Sequence, residues 1–499
     1  MGRVSDLIRR LTPSGGTGQR AMKGSVWLVV QNVLGRGLQL LTLVIIGRIV
    51  GPEALGLVGI ALLTLSALDE FTTIGLREAL VQREADDVDE YLATTWLLQT
   101  ARGVVITGVV WAAAPLVGRV FGEPAAVPLV RAIGLSALFV GVKNPGVIYF
   151  QKRLEFHRDF VYQISGAVVQ FLVAVGYVLV VPSVWAYVIG YLAGNLTRTV
   201  VSYLIHDYRP RLAFDADAAR ELIGYGKWIT GSAAVYFLNS QGDDAFVGWL
   251  LGPAALGLYQ YAYRFSNAPA TELAQVVGRV TFPAYSQLQN DPDDARTAFF
   301  RALRVTGLVA VPMAFGIAVA APSFVRAALG EAWVPMVPAM QLLAGFGLLK
   351  AVSTTFSAVW KALGRPDYSA KMGIARLLLV AVFAWPATTR FGITGISGVL
   401  VAVYLFPVFP ADTYLVTNLL DTSPVRVFVE LAYPLVAGTL MATAAAGVAW
   451  LLTAPPVVEF VAVVATGLFT YPLAVLLVER GLGWGVRPDI DALIDGVLS

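Results

Sequence analysis

Charged and amide side chains recur inside runs otherwise apolar enough to lie in a bilayer. Arg36 stands near the middle of the first apolar run, where Asn32, Arg36 and Gln39, spaced four and three apart, share one helical face. Asp69 and Glu70, followed by Thr72 and Thr73, lie past the middle of the second run, and Arg102 lies in the third. The seventh run carries Asn239 and Asp243 four apart, with Ser240 and Asp244 on the adjacent stripe. The eighth carries Arg264 and Glu272, eight apart and near one face, with Asn267 and Thr271 nearby. Lys350 falls in the tenth run and Asp412 in the twelfth. A charge at the centre of a membrane helix costs about 2.5–3.5 kcal/mol on insertion scales, so each must face a cavity or a partner.

Arg36, Arg102, Arg264 and Lys350 suit an anionic substrate, because a guanidinium fork matches phosphate oxygens. Asp69, Glu70, Asp243, Asp244 and Glu272 would balance those cations, bind a coupling cation or accept from sugar hydroxyls; Asn32 and Asn239 extend the same polar lining. Structural ion pairs between helices and snorkelling explain any one of these residues as well. The set, spread over both halves of the chain, predicts a polar cavity. Lys143, Arg198 and Arg279, near cytoplasmic helix ends, read as snorkelling anchors.

The chain has no cysteine and only two histidines, His157 and His206, both read as satisfied surface residues in loops. Disulfides, iron–sulfur clusters and His/Cys zinc sites are excluded. The sequence contains no P-loop, no Gly-rich nucleotide fingerprint after a strand and no nucleophile elbow. No cofactor is expected, and Na⁺ or H⁺ remains as the source of coupling energy.

The elements that must position these residues are membrane helices. Of 499 residues, 57% are hydrophobic and 14% charged, with mean hydropathy +0.70; soluble domains carry nearer ~25% charge. A net charge of +3 carries no nucleic-acid signature. The apolar runs predict helices over 24–48, 54–77, 92–117, 125–149, 160–181 and 184–205, then 226–250, 254–280, 298–320, 336–360, 369–389 and 393–417, then 428–453 and 456–478. The predicted parts are a basic segment 1–23 without a signal-peptide pattern, a first bundle 24–205, a linker 206–225, a second bundle 226–420, and two extra helices with a tail over 421–499. With the N-terminus placed inside, outer segments hold only Arg48, Arg119, Arg326 and Arg390, against twenty-four basic residues in inner segments. Both termini are therefore expected in the cytoplasm.

One stretch occurs twice. Gly47, Gly51-Pro52, Ala54-Leu55-Gly56-Leu57 and Ala61 recur as Gly248, Gly252-Pro253, Ala255-Leu256-Gly257-Leu258 and Ala262, all displaced by 201 residues. Each copy closes one apolar run and opens the next, so it reads as a helix–helix corner with Pro at the start of the second helix. A looser echo links 150–160 with 360–370. Six helices separate the copies of the corner, an even number. The expected fold is thus an all-α integral membrane protein of about fourteen helices: two parallel six-helix repeats forming two bundles around a central cavity, plus two C-terminal helices.

The chain resembles the polysaccharide transport (Wzx-type, O-antigen/teichoic acid exporter-like) flippase branch of the MOP superfamily. The resemblance rests on Gly51-Pro-Glu-Ala-Leu-Gly56, Gly75-Leu-Arg-Glu-Ala-Leu-Val-Gln-Arg83, Phe150-Gln-Lys-Arg-Leu-Glu-Phe156 and Tyr225-Gly-Lys-Trp228. It continues through Gly252-Pro-Ala-Ala-Leu-Gly-Leu-Tyr259, Phe282-Pro-Ala-Tyr285 and Ala362-Leu-Gly-Arg-Pro-Asp367, covering roughly residues 20–420. It implies a flippase moving a polyprenyl-linked oligosaccharide from the cytoplasmic to the outer leaflet of the cell membrane by alternating access. The last two helices would supply a groove for the lipid tail. It further implies a protein that is not an enzyme, acts as a monomer and works beside glycan-biosynthesis enzymes. The rivals are an ion-coupled MATE-like exporter of small cations and a membrane polysaccharide polymerase or ligase. Mid-membrane arginines argue against the first, and short predicted outer loops against the second.

Overall fold

The structure, a computed structural model, describes residues 17–72, 88–267 and 292–484. Helices α1 (Thr17–Val50), α2 (Pro52–Phe71), α3 (Val88–Val120), α4 (Ala126–Gly141), α5 (Phe156–Val180) and α6 (Trp185–Ile205) come first. They are followed by α7 (Ala216–Leu251), α8 (253–267), α9 (Pro292–Ala328) and α10 (Val337–Ala362). The long helical segment Pro366–Val403 breaks at Gly392 (φ 58°, ψ −140°) into α11 and α12. A π-helical turn, Tyr404–Val408, then carries α12 into Phe409–Leu419. Helices α13 (Pro424–Leu451) and α14 (Pro456–Leu482) complete the described chain. Among the described residues, nine helices are long and apolar enough to cross a membrane, or ten if one bent pair counts as a span.

That bent pair differs from the single helix expected over 125–149. Helix α4 stops at Gly141, and the chain turns by 73° into Pro145–Lys152. Pro145 disfavours helical backbone at the residue before it. Asn144 is accordingly extended (φ −66°, ψ 117°), and its Oδ1 accepts the Gly146 N–H at 2.9 Å, capping the turn that follows.

The repeated stretch forms the same corner twice. Gly51 (φ 86°) and Gly252 (φ 83°) adopt the left-handed backbone that only glycine takes at little cost. Their N–H groups reach back to Gly47 O and Gly248 O, both at 3.1 Å. The two corners also meet: a methyl on Gly56 would collide with the Pro253 carbonyl, and one on Gly257 with the Pro52 carbonyl. The looser echo shares a geometry as well. Glu155 N–H donates to Phe150 O at 2.7 Å around Leu154 (φ 57°), and Arg365 N–H donates to Trp360 O at 2.7 Å around Gly364 (φ 74°).

Contacts divide the chain into two compact units, Met1–Gly257 and Leu258–Ser499. Helix α7, assigned by its place in sequence to the second bundle, packs on α2 and α3 and groups with the first unit. The core of the second unit gathers Phe299, Phe300, Phe356, Trp360, Val416, Leu420 and Val427 from α9, α10, the end of α12 and α13.

One histidine is more enclosed than expected. His206 is half-buried, stacked on Tyr149 with centroids 5.7 Å apart, and its Nδ1 accepts the Tyr208 N–H at 3.1 Å. Burial pushes its pKa below the ordinary histidine value, with Asp207 opposing.

Candidate functional site

In the first unit, α1, α5 and α6 enclose a polar cavity of about 340 Å³. Asn32, Arg36 and Gln39 share one face of α1, and all three line it, together with Gln31 and Thr42. Gln163 and Gln170, seven apart on α5, form the second wall. Tyr187, Tyr191 and Arg198, spaced four and seven on α6, form the third. Arg198 is therefore not a snorkelling anchor. A helical side chain leans toward its own N-terminus, which on α6 carries Arg198 from the helix end into this recess. Its Nη2 donates to Asn195 Oδ1 at 2.9 Å, orienting the guanidinium. The 3.6-residue period of these amides and phenols is visible in the sequence, and that signal would have found them.

The lining has a definite chemistry. Two guanidiniums offer planar forks for phosphate or carboxylate oxygens. Four glutamines and one asparagine both donate and accept, and two phenols add hydroxyls on flat apolar faces. Such a mixture satisfies many hydroxyls and one anionic group at once.

The second unit holds a different cluster. Lys350 on α10 donates to Tyr263 Oη at 3.2 Å, and its ammonium lies 5.8 Å and 5.9 Å from the Tyr263 and Phe346 rings. Phe346 meets Tyr404 edge-on at 4.9 Å, and Tyr404 Oη accepts from Arg376 Nη1 at 2.7 Å. Two cations thus share a box of three aromatic rings. Arg264, the neighbour of Tyr263, is half-buried on α8.

Arg102 has a different setting. Its Nη2 donates to Asp69 Oδ1 and to Asp69 O, both at 2.6 Å, and its Nε donates to Thr72 O at 2.9 Å. It clamps the C-terminal end of α2, where helix carbonyls lack partners of their own. Glu70 is half-buried one residue beyond that pair. Asn239 is exposed on α7 and Asp243 and Asp244 are half-buried; none is among the described lining of the α1–α5–α6 cavity. Glu272, Thr271 and Arg279 lie outside the described residues.

An apolar groove of about 470 Å³ runs between α9, α13 and α14, lined by Leu308, Met313, Phe315, Met441, Val463, Leu468 and Tyr471. It lacks any charged lining residue among those described.

The multi-helix fold resembles that of two solved membrane-transport proteins. The lipid II flippase MurJ in its inward closed conformation superposes with a TM-score of 0.71 at 14% identity, covering 92% of this chain and 99% of that one. An inward-facing multidrug resistance MATE transporter of the MOP superfamily superposes at 0.63 and 17% identity, covering 77% and 96%. The chain belongs to the polysaccharide biosynthesis protein family, whose sequence profile matches residues 45–338. Relatives include the lipopolysaccharide biosynthesis protein WzxC of Escherichia coli, 26% identical over 72% of this chain and 74% of its own length. Teichuronic acid biosynthesis protein TuaB of Bacillus subtilis is 22% identical over 75% and 77%. The probable low-salt glycan biosynthesis flippase Agl15 of Haloferax volcanii is 24% identical over 75% and 79%.

Proposed function

We propose that this protein is a flippase that moves a polyprenyl-(pyro)phosphate-linked oligosaccharide from the cytoplasmic to the outer leaflet during surface-glycan synthesis. The observation that carries the reading is the α1–α5–α6 cavity, where Arg36 and Arg198 stand among five amides and two phenols. A pyrophosphate needs fixed cations, and a glycan needs paired donors and acceptors at spacing too dense for an apolar pocket. The apolar groove of α9, α13 and α14 fits an isoprenoid tail, which has no group to hydrogen-bond. Family membership and the names of the relatives point the same way. The excess of basic residues in the inner segments supports cytoplasmic termini, and the reading is of a monomeric cell-membrane protein that acts beside glycan-assembly enzymes.

The test is translocation of a fluorescent undecaprenyl-pyrophosphate oligosaccharide in proteoliposomes. Wild type should move it, and Arg36→Gln and Arg198→Gln should lose most of that activity while inserting and folding normally. Transport unaffected by either substitution would remove the site. Efflux of cationic dyes in place of lipid-linked glycan would establish the drug-exporter reading.

A further inference from the structure

The carboxyl of Asp412 is buried in the second unit, apart from the polar cavity of the first, whose described lining holds no acidic residue. It is 2% exposed, deep in the second unit, at the start of the helical segment Phe409–Leu419. Among the described residues a single donor serves it: Ser353 Oγ, on α10, donates to Oδ2 at 2.7 Å. Its Oδ1 has no hydrogen-bond partner among the described residues, and neither has the hydroxyl of Thr413 beside it, itself 2% exposed. An ionised carboxylate presents about four acceptor sites, and an unpaired buried charge is strongly unfavourable. The neutral acid needs far less.

The surrounding charges among the described residues do not supply a partner. Arg376 on α11 is the cation whose field reaches Asp412, but its Nη1 donates to Tyr404 Oη at 2.7 Å and its Nε to Met372 O at 3.2 Å. Lys350, one turn before Ser353 on α10, is directed at Tyr263. From α13, Arg426 lies over the Phe300 ring at 4.1 Å and Glu430 is held by Arg304. The backbone leading into Asp412 is also loosened. The π-helical turn Tyr404–Val408 contains Pro407, Pro410 follows in the next turn, and neither proline donates a helix hydrogen bond. Such turns interrupt regular helix pairing where a segment must rearrange.

We propose that Asp412 is a proton-carrying site: its carboxyl holds a proton while enclosed with Ser353 and Thr413, and gives it to water when the π-turn segment opens the pocket. Reprotonation from water on the opposite side closes the cycle, so one proton crosses per opening and no other group changes its charge. The proton-holding part stands on this geometry alone. The coupling of that proton to transport rests on the flippase reading.

Two measurements separate these parts. Infrared titration of the full-length protein in liposomes should show a protonated-carboxyl band that shifts in heavy water and disappears in Asp412→Asn. In Ser353→Ala, which removes the one donor and little volume, the same band should move because its hydrogen bond is gone. A spectrum unchanged by both substitutions overturns the proposal, as does a carboxylate at neutral pH that responds to sodium. In proteoliposomes, a pH gradient should accelerate translocation of the undecaprenyl-pyrophosphate oligosaccharide by wild type. Asp412→Asn should lose that acceleration while retaining gradient-free exchange; acceleration retained in the variant refutes the coupling. If no lipid-linked glycan moves in any protein, the flippase reading fails, while the infrared band still decides the proton site.

Discussion

Gly56→Ala and Gly257→Ala probe the contact between the two copies of the repeated corner. A methyl on Gly56 would press on the Pro253 backbone, with its Cα 2.9 Å away. Ordinary carbon–carbon contact is about 3.5–4.0 Å, so the neighbour must retreat by roughly half an ångström or more. The obstructing atoms are backbone at the first turn of α8, so a whole helix must shift rather than one side chain. Overpacking of this kind costs about 1–3 kcal/mol. The reciprocal methyl on Gly257 meets the Pro52 carbonyl and, 3.1 Å away, the Gly56 nitrogen. One separation of the two corners relieves both clashes, so the double substitution should cost less than the sum of the singles, with an interaction of about 0.5–3 kcal/mol. Gly108→Ala is the control, because nothing lies within 4 Å of the added methyl; there the better helix propensity should add about 0.5–1 kcal/mol. Chemical unfolding in mixed micelles measures all four. Additive losses, or a gain like that of the control, would refute the reciprocal contact.

Glu430→Ala should cost about 3–5 kcal/mol, toward the lower figure because Arg304 keeps 17% exposure. It removes the Glu430 contacts of Arg304 and strands the Trp484 N–H, which donates to Glu430 Oε2 at 3.0 Å, so a red shift of Trp484 emission should accompany the loss. Arg102→Lys should lower stability by about 1–2 kcal/mol, since an ammonium cannot span Asp69 Oδ1, Asp69 O and Thr72 O together. Its apparent affinity for lipid-linked glycan in the proteoliposome assay should stay unchanged. The depressed pKa of His206 means that the unfolded chain binds a proton first as pH falls. Its stabilising contribution is therefore full above about 6.5 and lost as pH drops through the folded value. His206→Asn, with Oδ1 in place of Nδ1 as acceptor for Tyr208, should flatten the acid limb of thermal stability measured across that range.

Much of this protein is legible in its residues alone. Apolar runs of membrane-spanning length located the described helices, with ends up to ten residues off at α7, which starts at Ala216 rather than 226, because a bilayer leaves a chain few other ways to satisfy its backbone. Gly51-Pro52 and Gly252-Pro253 disclosed the duplicated corner, because positive φ and a first-turn proline leave a compositional mark. The Asn32, Arg36 and Gln39 stripe disclosed one cavity wall, because helical period converts spacing into a shared face. What the sequence could not decide is which charged groups meet. Arg102 and Asp69 are 33 residues apart and form an ion pair, whereas Arg36 and Arg198, much farther apart in the chain, border one cavity. The enclosure of Asp412 with Ser353 and the placing of α7 on α2 and α3 likewise depend on packing between distant segments. Local spacing sets which face of a helix is polar. Only tertiary contact determines whether that face meets water, a counter-charge or a second polar helix, because burial and pairing are properties of the surroundings rather than of the residue.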